Sequence, residues 1–154
     1  IKMTQGIILA AGRGSRLKSL TNFKPKSFNK FKNKRYIDLI LENFSLNKIK
    51  KINIVVGYKS NLFKNYRFNK IFNSKWSSRS IFYSLYCARK ILAKNTCIVS
   101  YSDIIYNAKA LDLLKKNKGE IVLLSNNNWK KVWKKRFKKP LRDLESVQYK
   151  KKII

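Results

Sequence analysis

A glycine-containing basic loop follows the first apolar run of the chain. Residues 6–17 read GIILAAGRGSRL, with small residues at positions 10–12 and 14 and two arginines, Arg13 and Arg16. A polyphosphate needs small residues for close approach to backbone N–H groups, and donors and cations to match its charge. The loop therefore predicts a polyphosphate-binding site, and the alternative is an ordinary turn after a strand.

An acidic residue at the end of another apolar run is the second candidate. Asp103 closes the run TCIVSYSD at 96–103, in a chain with 7 acidic residues. Mg²⁺ typically takes one or two protein carboxylates and keeps its waters, so Asp103 can hold a Mg²⁺ against bound phosphates. The alternative is an N-cap for the helical segment NAKALDLLKK that follows.

The residue types present exclude several other chemistries. The chain has no histidine, and Cys87 and Cys97 fit no zinc-ligand or CxxC spacing. This excludes a zinc site, histidine acid–base catalysis and a Cys–His nucleophile. The loop matches neither GxxxxGK[ST] nor the dinucleotide fingerprint. We expect both cysteines to be buried thiols in a reducing compartment. No run approaches the roughly 20 apolar residues of a membrane span, so we expect a cytoplasmic protein without a membrane partner.

Short β-rich runs alternate with helix-length segments along the chain. Apolar runs of strand length occupy 5–9, 52–58, 96–103 and 120–125. Apolar residues at helical spacing predict helices over 35–46 and 80–92. The alternation predicts an α/β fold, with a Rossmann-like, mostly parallel sheet and helices on both faces. Ligands of such sheets bind beyond the carboxyl ends of the strands, which brings the first loop and Asp103 together.

The strong positive charge has two explanations. Lys and Arg number 37 against 7 acidic residues, for a net charge of +30. Lys, Asn, Ile, Phe and Tyr make up about half of the chain, and AT-rich codons encode all five, so we favour base composition over a nucleic-acid partner. The alternative is a polyanion surface on the basic run 130–139, interleaved with Trp129, Trp133 and Phe137.

A longer motif around the first loop carries a family resemblance. Residues 9–26, LAAGRGSRLKSLTNFKPK, resemble the signature LAAGxGxRLxxLT…PK of the nucleotidyltransferases that join an NTP to a phosphorylated small molecule. The resemblance implies their nucleotide-diphospho-sugar transferase-like fold. It also implies catalytic roles for Arg16 and Lys26, a Mg²⁺ ligand in Asp103, and nucleotide contacts at Leu9, Ala10, Ala11, Gly12, Gly14 and Ser15.

Two later stretches narrow the resemblance to one branch of the family. SIFYSLYCAR at 80–89 resembles the N-x-x-x-SL-x-x-A segment of cytidylyltransferases that act on phosphocholine and related phosphoesters or phosphonates. NNNWKKVWKKRFKKPLRDLE at 126–145 resembles their D-x-x-W…W-x-x-R…PL-x-D-x-E stretch. Ser80, a further nucleotide contact, and Asn126 stand where the branch usually has Asn and Asp.

The resemblance implies transfer of CMP from CTP to a small phosphorylated or phosphonate acceptor such as phosphocholine, with release of pyrophosphate. A sugar-1-phosphate nucleotidyltransferase and a non-enzymatic polyanion binder are the alternatives. Family members generally run beyond the 154 residues of this chain and carry a second metal-binding aspartate after the PLRDLE stretch. We therefore expect 1–154 to be a single nucleotidyltransferase domain that is incomplete at its C-terminus.

Overall fold

A four-stranded parallel sheet forms the centre of the fold. We describe residues 3–136 from a computed structural model. The chain divides into two compact units, Ile1–Glu120 and Ile121–Ile154, and the first contains the sheet. Its strands lie in the order β5-β4-β1-β6, all parallel. Their bounds are Gln5–Ala10 for β1, Ile52–Val56 for β4, Asn69–Phe72 for β5 and Cys97–Tyr101 for β6.

Helices and short turns connect these strands. β2 (Lys30–Phe31) and β3 (Lys34–Arg35) form a two-stranded antiparallel ribbon. The helices of the first unit are α1 (Tyr36–Leu46), α2 (Ile81–Cys87), α3 (Arg89–Leu92) and α4 (Ala108–Lys116). Short 3₁₀ turns occupy Ser15–Thr21, Lys26–Phe28 and Ser60–Phe63.

The two central strands, β1 and β4, are buried on both faces, as their mostly apolar sequences predict. On one face, Ile8 of β1 belongs to a core that includes Ile40 and Phe44 of α1 and Leu111 of α4. On the other face, Ile7 and Leu9 form a second core with Ala88, against which Ile91 of α3 packs. Alternate residues of β1 thus point to opposite helical layers. The predicted parallel α/β fold with helices on both faces is confirmed.

Most predicted elements are present, and one strand prediction is wrong. The predicted strands near 5–9, 52–58 and 96–103 correspond to β1, β4 and β6. The helix predicted over 80–92 is interrupted at Ala88 (φ −89°, ψ 6°) and forms α2 and α3. Residues 120–125 form no strand, and their Ile121 is 86% exposed. Strand propensity alone does not make a strand, because the strand also needs a neighbour for its backbone and a face to bury.

The described part of the second unit contains one helix. α5 spans Trp129–Arg136, and its first turn is closed by backbone hydrogen bonds such as that from Trp129 N to Asn126 O (3.0 Å). Among residues 3–136, every helix is too short or too polar to cross a membrane.

Candidate nucleotide-binding site

The sheet topology places two predicted site segments at one edge. β1 lies between β4 and β6, and all three strands run in the same direction. Their carboxyl ends, at Ala10, Val56 and Tyr101, therefore meet at the same edge of the sheet. This is the edge at which parallel α/β sheets bind ligands. The loop after β1 begins in the middle of it.

The loop after β1 changes from buried to exposed at Gly12. Leu9, Ala10 and Ala11 are buried within the sheet, so they can offer a ligand only backbone groups. Gly12, Ser15 and Arg16 are exposed. A Cβ added at Gly12 would meet no atom within 4 Å. At Gly12 the exposed part of the loop therefore faces open space.

Gly14 turns the loop back towards the body of the protein. It adopts the left-handed conformation (φ 75°, ψ 49°) and caps the 3₁₀ turn that starts at Ser15. A Cβ at Gly14 would lie 2.8 Å from Cβ and 2.9 Å from Cδ of Lys26. L-residues adopt this conformation at a cost of roughly 1–2 kcal/mol. Glycine is therefore required here both for the backbone turn and for the close approach of Lys26.

Lys26 and Asp103 form an ion pair at this edge. Lys26 follows the buried Pro25 at the start of a 3₁₀ turn, and its Nζ contacts Oδ2 of Asp103. The two side chains are 39% and 26% exposed. Pairs exposed to this degree add only about 0–1 kcal/mol to stability. The contact therefore says more about the location of the two side chains than about stability. It shows that the predicted phosphate-binding lysine and the predicted metal ligand are neighbours.

Asp103 is not a helix cap. β6 ends at Tyr101, two residues before Asp103, and α4 begins only at Ala108. The N-cap of α4 is Asn107, whose side-chain oxygen accepts a hydrogen bond from Ala110 N (3.2 Å). This excludes the capping alternative that the sequence left open.

The donor chemistry at Asp103 fits a magnesium ion. Residues 3–136 contain no group of three or more His, Cys, Asp or Glu side chains that could enclose a metal. Mg²⁺ does not need such a cage, because it is commonly held by one or two carboxylates, by phosphate oxygens of the substrate and by water. The half-buried Asp103 carboxylate lies beside the glycine-containing basic loop, and this donor set is compatible with that mode of binding.

Ser80 is positioned by a different element from the loop. It precedes α2, its side chain is exposed, and its hydroxyl makes no capping hydrogen bond to the helix. Further along α2, the buried Ser84 accepts a hydrogen bond from Asn73 Nδ2 (3.0 Å). Asn73 N donates to Val56 O at the end of β4 (2.8 Å). Sequence reasoning missed Asn73, which connects α2 to the carboxyl edge of the sheet.

Thr21 stabilises the loop through its side-chain hydroxyl. It is fully buried, and its hydroxyl lies within hydrogen-bonding distance of two carbonyl oxygens, Gly14 O (3.3 Å) and Lys18 O (3.2 Å). Lys18 interrupts the 3₁₀ turn with φ 48° and ψ −121°. Thr21 is part of the motif at 9–26, but no structural role was predicted for it from the sequence.

Tyr58 also contacts the loop and was missed. It lies two residues after β4, where Tyr58 N donates to Ala11 O (2.9 Å). Its phenol donates to Asn22 O (2.7 Å). The available signal was its place just after a strand that ends at the ligand-binding edge.

Part of the second resemblance lies outside the described residues. Trp129 and Trp133 are on α5, in which Lys130 Nζ lies 5.7 Å from the Trp129 ring centroid. The rest of the predicted basic run, 137–139, and the PLRDLE stretch, 140–145, lie outside the described residues.

Comparisons with known proteins identify related sequences. The model of the MobA-like NTP transferase domain matches residues 6–154. The chain is 36% identical over 153 residues to CTP:phosphoglutamine cytidylyltransferase of Campylobacter jejuni, covering 92% of this chain and 60% of that protein. It is 33% identical over 113 residues to choline-phosphate cytidylyltransferase of Streptococcus pneumoniae, covering 71% of this chain and 49% of that protein.

A solved structure shares the fold. The CTP:phosphocholine cytidylyltransferase of Streptococcus pneumoniae superposes with a TM-score of 0.61 at 30% identity, over 71% of this chain and 50% of that one. The chain thus spans about half to three-fifths of the length of the relatives it matches.

Proposed function

Because the chain belongs to the MobA-like NTP transferase family, we propose that it transfers CMP from CTP to a small phosphorylated or phosphonate acceptor. The observation that carries this proposal is the meeting of Gly14, Lys26 and Asp103 at the carboxyl edge of the sheet. The names of two relatives, which act on phosphoglutamine and choline phosphate, support CTP as donor and a phosphate-bearing acceptor.

The proposed reaction needs no nucleophilic side chain. An oxygen of the acceptor phosphate attacks the α-phosphorus of CTP in line, the bond to the bridging oxygen breaks, and pyrophosphate leaves. The protein contributes positioning and charge stabilisation. This agrees with a chain that has no histidine and whose Cys97 has its pKa raised by burial.

Each part of the loop has a separate role in this proposal. The backbone of Leu9, Ala10, Ala11 and Gly12 receives the base, with Ser80 as a further nucleotide contact from the start of α2. The loop at Gly14, Ser15 and Arg16 surrounds the triphosphate. Lys26 places its ammonium group against the reacting phosphates. Asp103 holds Mg²⁺, which supplies positive charge to the phosphates when bound.

The first test is ligand binding, because the chain spans only part of its relatives. The melting temperature of the purified chain is measured with each of the four NTPs and Mg²⁺. A ligand at about 100 times its dissociation constant adds about 2.7 kcal/mol of stability, which corresponds to several degrees. We expect the largest shift with CTP. No shift with any NTP contradicts the proposal.

The second test removes single charges from the site. Lys26→Ala is expected to slow pyrophosphate release about a hundredfold, or about 3 kcal/mol, because it removes a cation aimed at developing charge. Lys24→Ala is the matched control, since it removes the same charge two residues away. Asp103→Asn is expected to abolish Mg²⁺-dependent turnover while the protein stays folded. A Lys26→Ala variant as fast as Lys24→Ala contradicts the role of Lys26.

A cytoplasmic location is part of the same proposal. Cys87 and Cys97 are partly buried free thiols, which is the usual state of cysteines in a reducing compartment.

A further inference from the structure

We propose that Tyr58 is a positioning residue that closes the loop 11–22 and holds it in its nucleotide-binding shape. The inference rests on the proposed function in so far as the loop binds a nucleotide. Tyr58 does not need to touch the nucleotide in this role.

Tyr58 joins the two ends of the loop. Its backbone N–H donates to Ala11 O, the first carbonyl of the loop, at 2.9 Å. Its phenolic hydroxyl donates to Asn22 O at the other end, at 2.7 Å. One residue of the neighbouring strand connection therefore fixes the separation of the two loop ends.

The same side chain also fixes an arginine of the loop. The Arg13 guanidinium lies 5.7 Å from the centroid of the Tyr58 ring. Arg13 Nη2 donates to Asn22 Oδ1 at 2.8 Å. Trp76 packs against the ring at a centroid distance of 5.1 Å. Tyr58, Arg13 and Asn22 thus form a connected cluster across the loop.

Gly57 makes this approach possible. A Cβ at Gly57 would lie 2.5 Å from Trp76 Cβ and 2.9 Å from Ala11 O. These separations are too short for a side chain, so the end of β4 comes as close to the loop as glycine permits. That closeness places Tyr58 N within hydrogen-bonding distance of Ala11 O.

A loop that is closed in advance binds its ligand more tightly. Ordering a flexible loop on binding costs conformational free energy, which is subtracted from the binding free energy. A loop that Tyr58 already holds in place avoids most of that cost. Loss of the phenol contact therefore weakens nucleotide binding through the loop.

The test removes only the phenolic oxygen. Tyr58→Phe keeps the ring against Arg13 and Trp76 but leaves Asn22 O without its donor. Tyr66→Phe is the control, because it also removes a phenolic hydroxyl away from the loop, one that donates to Asp38 Oδ1 (2.6 Å) and accepts from Arg35 Nη1 (3.5 Å). Amide hydrogen exchange of the loop is measured without nucleotide, and CTP affinity is measured with Mg²⁺.

In Tyr58→Phe we expect amide exchange in 12–22 to become severalfold faster, while exchange in β1 and β4 stays unchanged. We expect CTP affinity to fall about tenfold, which is the contribution that one hydrogen bond can make. Tyr66→Phe is expected to change neither. Unchanged exchange in the loop overturns the inference whether or not any nucleotide binds. Faster exchange with undiminished affinity, in a chain that binds CTP, overturns it as well. If the parent chain binds no nucleotide, the proposed function fails separately, and the exchange result alone decides whether Tyr58 closes the loop.

Discussion

Two glycines of the same loop have opposite surroundings. Gly14 has a positive φ of 75°, and a Cβ there would collide with the stem of Lys26. A Cβ at Gly12 would meet no atom of the protein. The space at Gly14 is thus needed by the protein itself, whereas the space at Gly12 is available to a ligand.

Alanine at each position should separate folding from binding. We expect Gly14→Ala to lower the free energy of unfolding by about 1–3 kcal/mol, from backbone strain and the displacement of Lys26. Gly12→Ala should leave stability almost unchanged but lower CTP affinity, because its methyl group enters the ligand space. Denaturant unfolding and a CTP titration of both variants measure this. A Gly12→Ala chain that binds CTP as tightly as the parent would place the nucleotide elsewhere.

The sequence located residues that share a short motif and missed those that meet only after folding. Gly14 and Lys26 lie in one recognised run, and Asp103 lies two residues after β6, whose apolar character is visible in the sequence. Tyr58 and Asn22 are 36 positions apart. Their contact depends on the closeness of β1 and β4, which no local pattern encodes.

At the scale of elements, burial decided which predictions were right. β1 and β4 are mostly apolar and almost fully buried, so composition alone identified them. β5 is an edge strand, NKIF, in which no residue is fully buried, and its polar residues hid it. The segment 120–125 is the opposite case, because it is largely apolar in sequence but exposed except for the half-buried Val122.

The end of α1 offers a test of element stability. Lys48 follows the C-cap Asn47 with φ 59°. Lys48 N donates to Ser45 O and Ile49 N to Phe44 O, each at 2.9 Å, which is the Schellman pattern that favours glycine at this position. We expect Lys48→Gly to raise the free energy of unfolding by about 1 kcal/mol, because glycine adopts this conformation without strain.

Lys50→Gly is the control for that substitution. It removes the same charge from an exposed position two residues later, where the φ of the native residue is not positive. Urea unfolding with an unchanged m-value reports the difference. Equal midpoints for the two variants would show that the left-handed residue carries no measurable strain.

At the scale of the whole molecule, charge and motif point to different partners. The net charge of +30 on its own favours a polyanion, whereas the recognised motif and the family match favour a nucleotide. Charge describes the whole surface and is sensitive to base composition. The motif describes one loop, and it predicted the family correctly.

Salt dependence distinguishes the two kinds of binding. Binding of duplex DNA through many lysines should weaken steeply between about 0.05 and 0.2 M salt, because counterions are released from the DNA. In the proposed site, CTP with Mg²⁺ would contact few charges in a preformed loop, so its affinity should fall much less. Melting-temperature shifts with each ligand at both salt concentrations measure this. A shift that occurs with DNA alone would support the polyanion-binding alternative.

Under the proposed function, the ion pair of Lys26 with Asp103 implies thermodynamic linkage between CTP and Mg²⁺. In the free protein, Lys26 is already the counter-ion of Asp103. In the proposed reaction Lys26 turns to the triphosphate, so Asp103 would lose that counter-ion and its carboxylate would become a stronger cation ligand. Each ligand must then strengthen the binding of the other by the same factor. We expect Lys26→Ala to reduce that factor, and calorimetric titration of CTP over a range of Mg²⁺ concentrations measures it. An equal factor in parent and variant would mean that the exchange of partners does not occur.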